Sequence, residues 1–129
     1  MKSVLIAEDD PDVANVLRTA IVDRLPVSAD IVPNGALVLD ALAESRRDLL
    51  ILDLSLPGLN GIDVFDLMRS DPSSHGIPVL FITGSPEKAE HAVAPTGVHE
   101  VLAKPFDVDE LVQRVRRLIG EPEAVAAAA

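Results

Sequence analysis

Leu49-Leu50-Ile51-Leu52 runs without a polar residue and stops at Asp53. A half-exposed strand alternates apolar and polar side chains, because successive residues point to opposite faces. An unbroken apolar run of this length reads instead as a strand buried on both faces, as in the middle of a parallel sheet. Three more runs share the form. Val4-Leu5-Ile6-Ala7 leads into Glu8-Asp9-Asp10, Val79-Leu80-Phe81-Ile82 into Thr83-Gly84, and Val101-Leu102-Ala103 into Lys104-Pro105-Phe106. Each buried strand therefore stops at a carboxylate, a hydroxyl or an ammonium. Parallel strands would bring all of those groups to one edge of one sheet. Such an edge is acidic, with one cation and one hydroxyl beside it, and suits a divalent metal and a phosphoryl group.

The segments between these runs read as helices. Asp10 can cap a first helix with Pro11 at its first position, where a missing N–H costs little. Val13, Val16, Leu17, Ala20 and Ile21 form its apolar stripe, and Pro26 ends it. A short strand over 29–32 follows, then turn chemistry at Pro33-Asn34-Gly35 and a helix over 36–44. Leu56-Pro57-Gly58-Leu59-Asn60-Gly61 must be a loop. The helix after it, 62–69, should turn Ile62, Phe65 and Met68 inward. A fourth helix over 86–94 has few large apolar residues and is cut off by Pro95 and Gly97. The fifth strand, 100–103, precedes the clearest helix. Its Asp107 and Glu110 resemble a capping box, Val108, Leu111, Val112, Val115, Leu118 and Ile119 form its stripe, and Gly120 closes it. Residues 121–129 read as an acidic, then alanine-rich, frayed tail. Strand and helix alternate five times, which implies one α/β domain over residues 1–120. Its sheet is parallel, its crossovers right-handed, and helices cover both faces. Sites in such sheets lie beyond the carboxyl ends of the strands, at the topological switch point.

The bulk composition agrees. The chain has 129 residues, 48% of them hydrophobic, enough for a core and against disorder. Tyr and Trp are absent and Phe occurs three times, so the core must be aliphatic. No cysteine is present, which removes disulfides and thiolate metal sites and fits a reducing cytoplasm. No apolar run is long enough to span a bilayer and no signal peptide is visible, so no membrane association is expected. The net charge of −10 argues against contact with nucleic acid, which needs a basic face. It suits a monomer or weak dimer that meets other proteins.

Taken together, Glu8-Asp9, Asp53, Thr83 and Lys104-Pro105-Phe106, with the loop Leu56-Pro57-Gly58-Leu59-Asn60-Gly61, resemble the receiver domain of bacterial two-component response regulators. The resemblance covers residues 2–120. Each motif alone is weak; all of them, each in register with its own strand, are specific. The resemblance implies a flavodoxin-like sheet of order 2-1-3-4-5. It implies that Asp53 accepts a phosphoryl group from a histidine kinase or phosphotransfer protein, and that output runs through a downstream protein partner. It further implies Mg²⁺ bound by Asp9, Asp53 and the backbone carbonyl of Ser55, with Glu8 as an outer, water-bridged ligand. Lys104 would pair with a phosphate oxygen and Thr83 would donate to another. A cis peptide before Pro105 would help aim Lys104. The chemistry is consistent: a carboxylate is a competent nucleophile, and three neighbouring carboxylates need a cation between them.

Some residues carry blander roles. Asp10 is assigned to capping rather than to metal. His75, His91 and His99 sit in polar or irregular segments and read as surface residues. Ser73-Ser74-His75 has no acid at triad spacing, which discounts a hydrolase. The chain also departs from the family. Many receivers carry Tyr or Phe three residues before the Lys-Pro lysine, and here that position is Val101, so an aromatic switch is not expected. Phe81-Ile82-Thr83-Gly84 with Pro95 resembles a single-domain branch with a poorly formed fourth helix. Ser55 and Ser85, each two residues past a site residue, should flank the path of attacking water. With no output domain after Gly120, a stand-alone receiver is expected. The alternatives are a receiver excised from a hybrid kinase or larger regulator, or a receiver-like interaction module that is not phosphorylated. A nucleotide-binding enzyme lacks its Gly-rich phosphate loop and Walker lysine here.

Overall fold

The computed structural model describes residues 1–92 and 99–121, with the side chains of 90–92 left aside. The expectations for the end of the fourth helix and for the terminal tail fall on 93–98 and 122–129, outside the described residues. The elements alternate throughout: β1 Lys2–Ala7, α1 Pro11–Arg24, β2 Val27–Val32, α2 Gly35–Glu44, β3 Leu49–Asp53, α3 Gly61–Ser70, β4 Val79–Thr83, α4 Pro86–Ala92, β5 His99–Ala103 and α5 Val108–Leu118. The strands form one sheet of order β2-β1-β3-β4-β5, and every pairing is parallel. This is the flavodoxin-like arrangement, and the order turns back between β1 and β3.

Period-two alternation divides each central strand between two cores. Val4, Ile6, Leu49, Ile51, Leu80 and Ile82 meet Leu17 and Ile21 of α1 and Leu111 and Val115 of α5. Leu5, Ala7, Leu50, Leu52, Val79 and Phe81 meet Val38 of α2 and Val64, Phe65 and Met68 of α3. All five residues of β3 and all five of β4 are buried, which accounts for their unbroken apolar runs. The edge strand β2 is different: Val27 and Ala29 are buried while Ser28 and Asp30 are exposed. That alternation hid its first two residues from the sequence reading.

Local chemistry sets the helix starts. The side chains of Asp10, Asn34, Asn60 and Asp107 each accept backbone N–H groups at the first turn of α1, α2, α3 and α5. The expected capping box at α5 is only half formed. Asp107 caps, but Glu110 pairs with Arg114 one turn on, at 3.0 Å, rather than reaching back. Two helical faces differ in detail from expectation. In α1 the buried residues are Ala14, Leu17 and Ile21, and Val16 is 49% exposed. In α3 Val64 joins Phe65 and Met68 as fully buried residues, and Ile62 packs against the same core half-buried. Gly120, at φ 77°, closes α5 as expected.

Candidate functional site

The carboxyl ends of β1, β3, β4 and β5 converge at the switch point. Glu8 follows β1 and is buried, whereas its neighbour Asp9 is exposed. Asp10 turns away to cap α1, its Oδ1 accepting from the amides of Asp12 at 2.9 Å and Val13 at 3.4 Å. Asp53, the last residue of β3, is 5% exposed. Its Oδ1 accepts the Ser55 amide at 2.9 Å. Thr83 ends β4 and is also buried, its Oγ1 accepting the Ser85 amide at 2.9 Å. Lys104 leaves β5, its own amide donating to the Thr83 carbonyl at 2.8 Å. The Lys104–Pro105 bond is cis, as the resemblance implied.

One contact organises the cluster. The Lys104 ammonium lies 3.0 Å from Glu8 Oε1 and 3.1 Å from Asp53 Oδ2, so a single cation joins two buried carboxylates from different strands. Glu8, Asp9 and Asp53 also offer carboxylate oxygens that all lie within 4.8 Å of one another. The cost of assembling these charges appears in their titration. Burial, then the adjoining Asp53, pushes the Glu8 carboxyl from 4.5 up to about 7, against the pull of Lys104. Burial would raise Asp53 too, but Glu8, the Ser55 amide and Lys104 outweigh it and hold Asp53 below the ordinary aspartate value. Burial would lower Lys104, and the same two carboxylates keep it raised instead. Asp53 is therefore the carboxylate that stays ionised, which a nucleophile requires.

The sequence named Glu8, Asp9, Asp53, Thr83 and Lys104, and their backbones meet at one sheet edge. Ser55 stands two residues past Asp53 and contacts it through its amide. Glu8, read as an outer group, pairs directly with Lys104. His99 is a correction. It is not a surface residue but a half-buried member of β5, its ring 6.1 Å from Phe65 and 6.3 Å from Phe81. Its Nδ1 is buried without a hydrogen-bond partner among the described residues. The aromatic neighbours come from α3 and β4, so nothing local in the sequence marked them. His75 is exposed as expected, and the side chain of His91 lies outside the described residues.

The model of the response regulator receiver domain matches residues 4–116. The chain belongs to this family. As a receiver it is similar to the DNA-binding response regulator MtrA of Mycolicibacterium smegmatis, 35% identical over 114 residues, covering 88% of this chain and 48% of that protein. It is also similar to the transcriptional regulatory protein PcoR of Escherichia coli, 35% identical over 128 residues, covering 98% of this chain and 55% of that one. The receiver thus spans about half the length of these curated relatives. Among solved structures, a response regulator from Chloroflexus aurantiacus superposes with a TM-score of 0.82 at 27% identity, covering 93% of this chain and 98% of that chain. The receiver domain of a sensor histidine kinase from Pseudomonas aeruginosa superposes at 0.80 with 25% identity, covering 93% and 98%, and was solved with a magnesium ion coordinated in its active-site cleft.

The donor set of the present receiver fits such an ion. Carboxylate oxygens are hard ligands suited to Mg²⁺, and those of Glu8, Asp9 and Asp53 lie close enough together to share one ion. Receiver domains interact with histidine kinases and act as phosphoacceptors. No described helix is long and apolar enough to cross a membrane.

Proposed function

We propose that this receiver takes a phosphoryl group onto Asp53 from the phosphohistidine of a histidine kinase or phosphotransfer protein, and signals by changing its protein contacts. The carrying observation is the placement of Lys104 against Asp53 Oδ2, beside a Glu8–Asp9–Asp53 carboxylate cluster. In the transfer, an Asp53 oxygen attacks phosphorus while the bond to the donor imidazole nitrogen breaks, and that nitrogen leaves with the electron pair. Asp53 is held ionised for this, and Lys104 is already aimed at the carboxylate that receives the group. Once the phosphoryl group is in place, Lys104 pairs with one of its oxygens and Thr83 donates its hydroxyl proton to another. Thr83 Oγ1 uses only acceptor capacity on the Ser85 amide, which leaves that proton free to turn. Mg²⁺ would be held by Asp9, Asp53 and the Ser55 carbonyl, with Glu8 acting through water, and when bound would neutralise the carboxylates and the transferring oxygens.

The docking side has its own support. Asp12, Val13, Val16, Lys104, Pro105, Phe106 and Val108 line an apolar cleft next to the site, where a donor protein's helix could rest. The DNA-binding name belongs to a relative about twice as long, and the charge of −10 speaks against nucleic-acid contact by this segment. The test is incubation with Mg²⁺ and a small phosphodonor, followed by mass spectrometry. Wild type should gain one acid-labile phosphate on Asp53 and Asp53→Asn none. Phosphate retained at the wild-type level in Asp53→Asn would sink the assignment.

A further inference from the structure

Three rings meet where β4, β5 and α3 come together. Phe81 and Phe65 stand edge to face, with centroids 5.2 Å apart and planes at 61°. The His99 imidazole lies 6.3 Å from Phe81 and 6.1 Å from Phe65, edge-on to both. The strand register explains the contact. Phe81 is paired with Val101 and Val79 with His99, so Phe81 and His99 are diagonal neighbours on one face of the sheet. The short side chain of Val101 does not keep the two rings apart. Thr83 belongs to that face as well, two residues beyond Phe81. One line of side chains thus runs from Thr83 at the site, through Phe81, to His99 at the start of β5.

The members of this line differ in freedom. Phe81 is fully buried and close-packed, so a displacement of its strand is passed on rather than absorbed. Phe65 is steadied from outside by Arg69, whose guanidinium carbon lies 5.5 Å from the ring centroid. His99 is half-buried, and its Nδ1 is buried with no hydrogen-bond partner among the described residues. A buried nitrogen without a partner is costly, and the torsion about Cβ–Cγ is soft, so a turn of the ring would trade that nitrogen for a hydrated one. Packing against the two phenyl rings opposes the turn. We propose that His99 is the far end of a conformational relay. When Thr83 is drawn toward a phosphoryl group on Asp53, β4 carries Phe81 with it, the imidazole loses its packing and turns, and the change surfaces at the start of β5. The inference rests on the reading of Asp53 as phosphoacceptor. Two arrangements of one ring, biased by the state of the site, are what such coupling requires. The response then appears at the opposite end of β5 from Lys104, so a partner that reads it does not compete with a donor resting on the Pro105–Phe106 loop.

The experiment follows the imidazole C–H resonances by NMR at one fixed pH, before and after addition of beryllofluoride with Mg²⁺ as a stand-in for the phosphoryl group. The Ser55 amide, which is bound to Asp53, reports that the site is occupied. In wild type the His99 resonances should shift on addition, and those of exposed His75 should stay in place. Phe81→Leu cuts the ring contact, and Thr83→Val removes the hydroxyl at nearly constant volume. In each variant the Ser55 amide should still respond while the His99 shift is lost. The two substitutions act at different links, so a Phe81→Leu chain that failed to fold would leave Thr83→Val to decide. His99 resonances that stay put in wild type while Ser55 responds, or a His99 shift that survives either substitution, would overturn the relay and leave the phosphoacceptor reading intact. No response at Ser55 or His99 in wild type, together with no phosphate taken up from a small donor, would overturn the phosphoacceptor reading and the relay with it.

Discussion

Glu8 holds its proton unusually late, and this has a measurable consequence for the metal-free protein. Between about pH 4.5 and 7 the unfolded chain has released that proton while the folded chain keeps it. The folded state then binds more protons, so stability falls as pH rises through this window. Asp53 acts in the opposite sense and lower down: its contribution is complete above 3.8 and is lost as pH falls below that value. Glu8→Gln should therefore flatten the decline between pH 5 and 7.5 and raise the metal-free Tm at pH 7.5, with a gain on the order of 1–3 kcal/mol. Thermal melts with chelator at the two pH values check it; an equal decline in wild type and variant would place the strain elsewhere. Asp9 bears on the same balance from the solvent side. Mg²⁺ should raise the Tm of the wild type by mass action, and Asp9→Asn should lose most of that rise. These residues were readable because each directly follows an apolar run. Val16 and His99 were not, because a helix's rotation and the depth of an edge strand are set by partners distant in sequence.

At the scale of elements, the passage from β3 to α3 is tightly packed against its neighbours. A Cβ on Gly61 would sit 2.7 Å from the Asp53 carbonyl oxygen and 2.8 Å from Leu54 Cα, both backbone atoms. Gly35 is pressed in the same way by the Leu59 carbonyl at 2.2 Å, so two glycines pin the loop between them. Alanine at position 61 would gain about 1 kcal/mol of helix propensity. Overpacking should nevertheless win, with a net loss of roughly 1–3 kcal/mol in chemical unfolding. Phosphorylation should slow by more than the fraction unfolded explains, since the displaced atoms belong to Asp53 itself. A stable Gly61→Ala with normal kinetics would show that the loop yields freely. The sequence marked Gly35 as turn chemistry and Gly58 and Gly61 as loop glycines able to take left-handed backbone angles. Gly58, at φ 78°, has one, but at Gly35 and Gly61 the requirement is room for a neighbouring backbone, which no single segment can reveal.

Across the whole molecule, stability is unevenly shared. β3 is hydrogen-bonded on both sides and its five residues are buried, whereas β5 pairs only with β4 and three of its five residues are half-buried. Helix α4 has seven described residues, and Ala89 is the buried one among the described side chains. Amide exchange should accordingly be slowest in β3, intermediate in β5 and fast over Glu87–Ala92. Beryllofluoride, a phosphoryl mimic, should slow exchange in α4 by drawing Thr83 and the end of β4 inward. Protection of Glu87–Ala92 equal to that of α5 in both states would place the responding surface elsewhere. The fold as a whole was legible, because four apolar runs and three amphipathic helices leave few topologies that obey right-handed crossovers. How a receiver with Val101 in place of an aromatic passes its signal on was not, because that depends on contacts across β4 and β5.

The strand order places Asp53 on the central strand, Thr83 one strand outward and Lys104 on the edge. In mechanical terms the site is a vice with one jaw bolted to the frame and the other on a slide. If Asp53 takes the phosphoryl group as proposed, the fixed jaw would hold the reacting oxygen, and any displacement is expected on the loose side, toward the outer rim of the sheet.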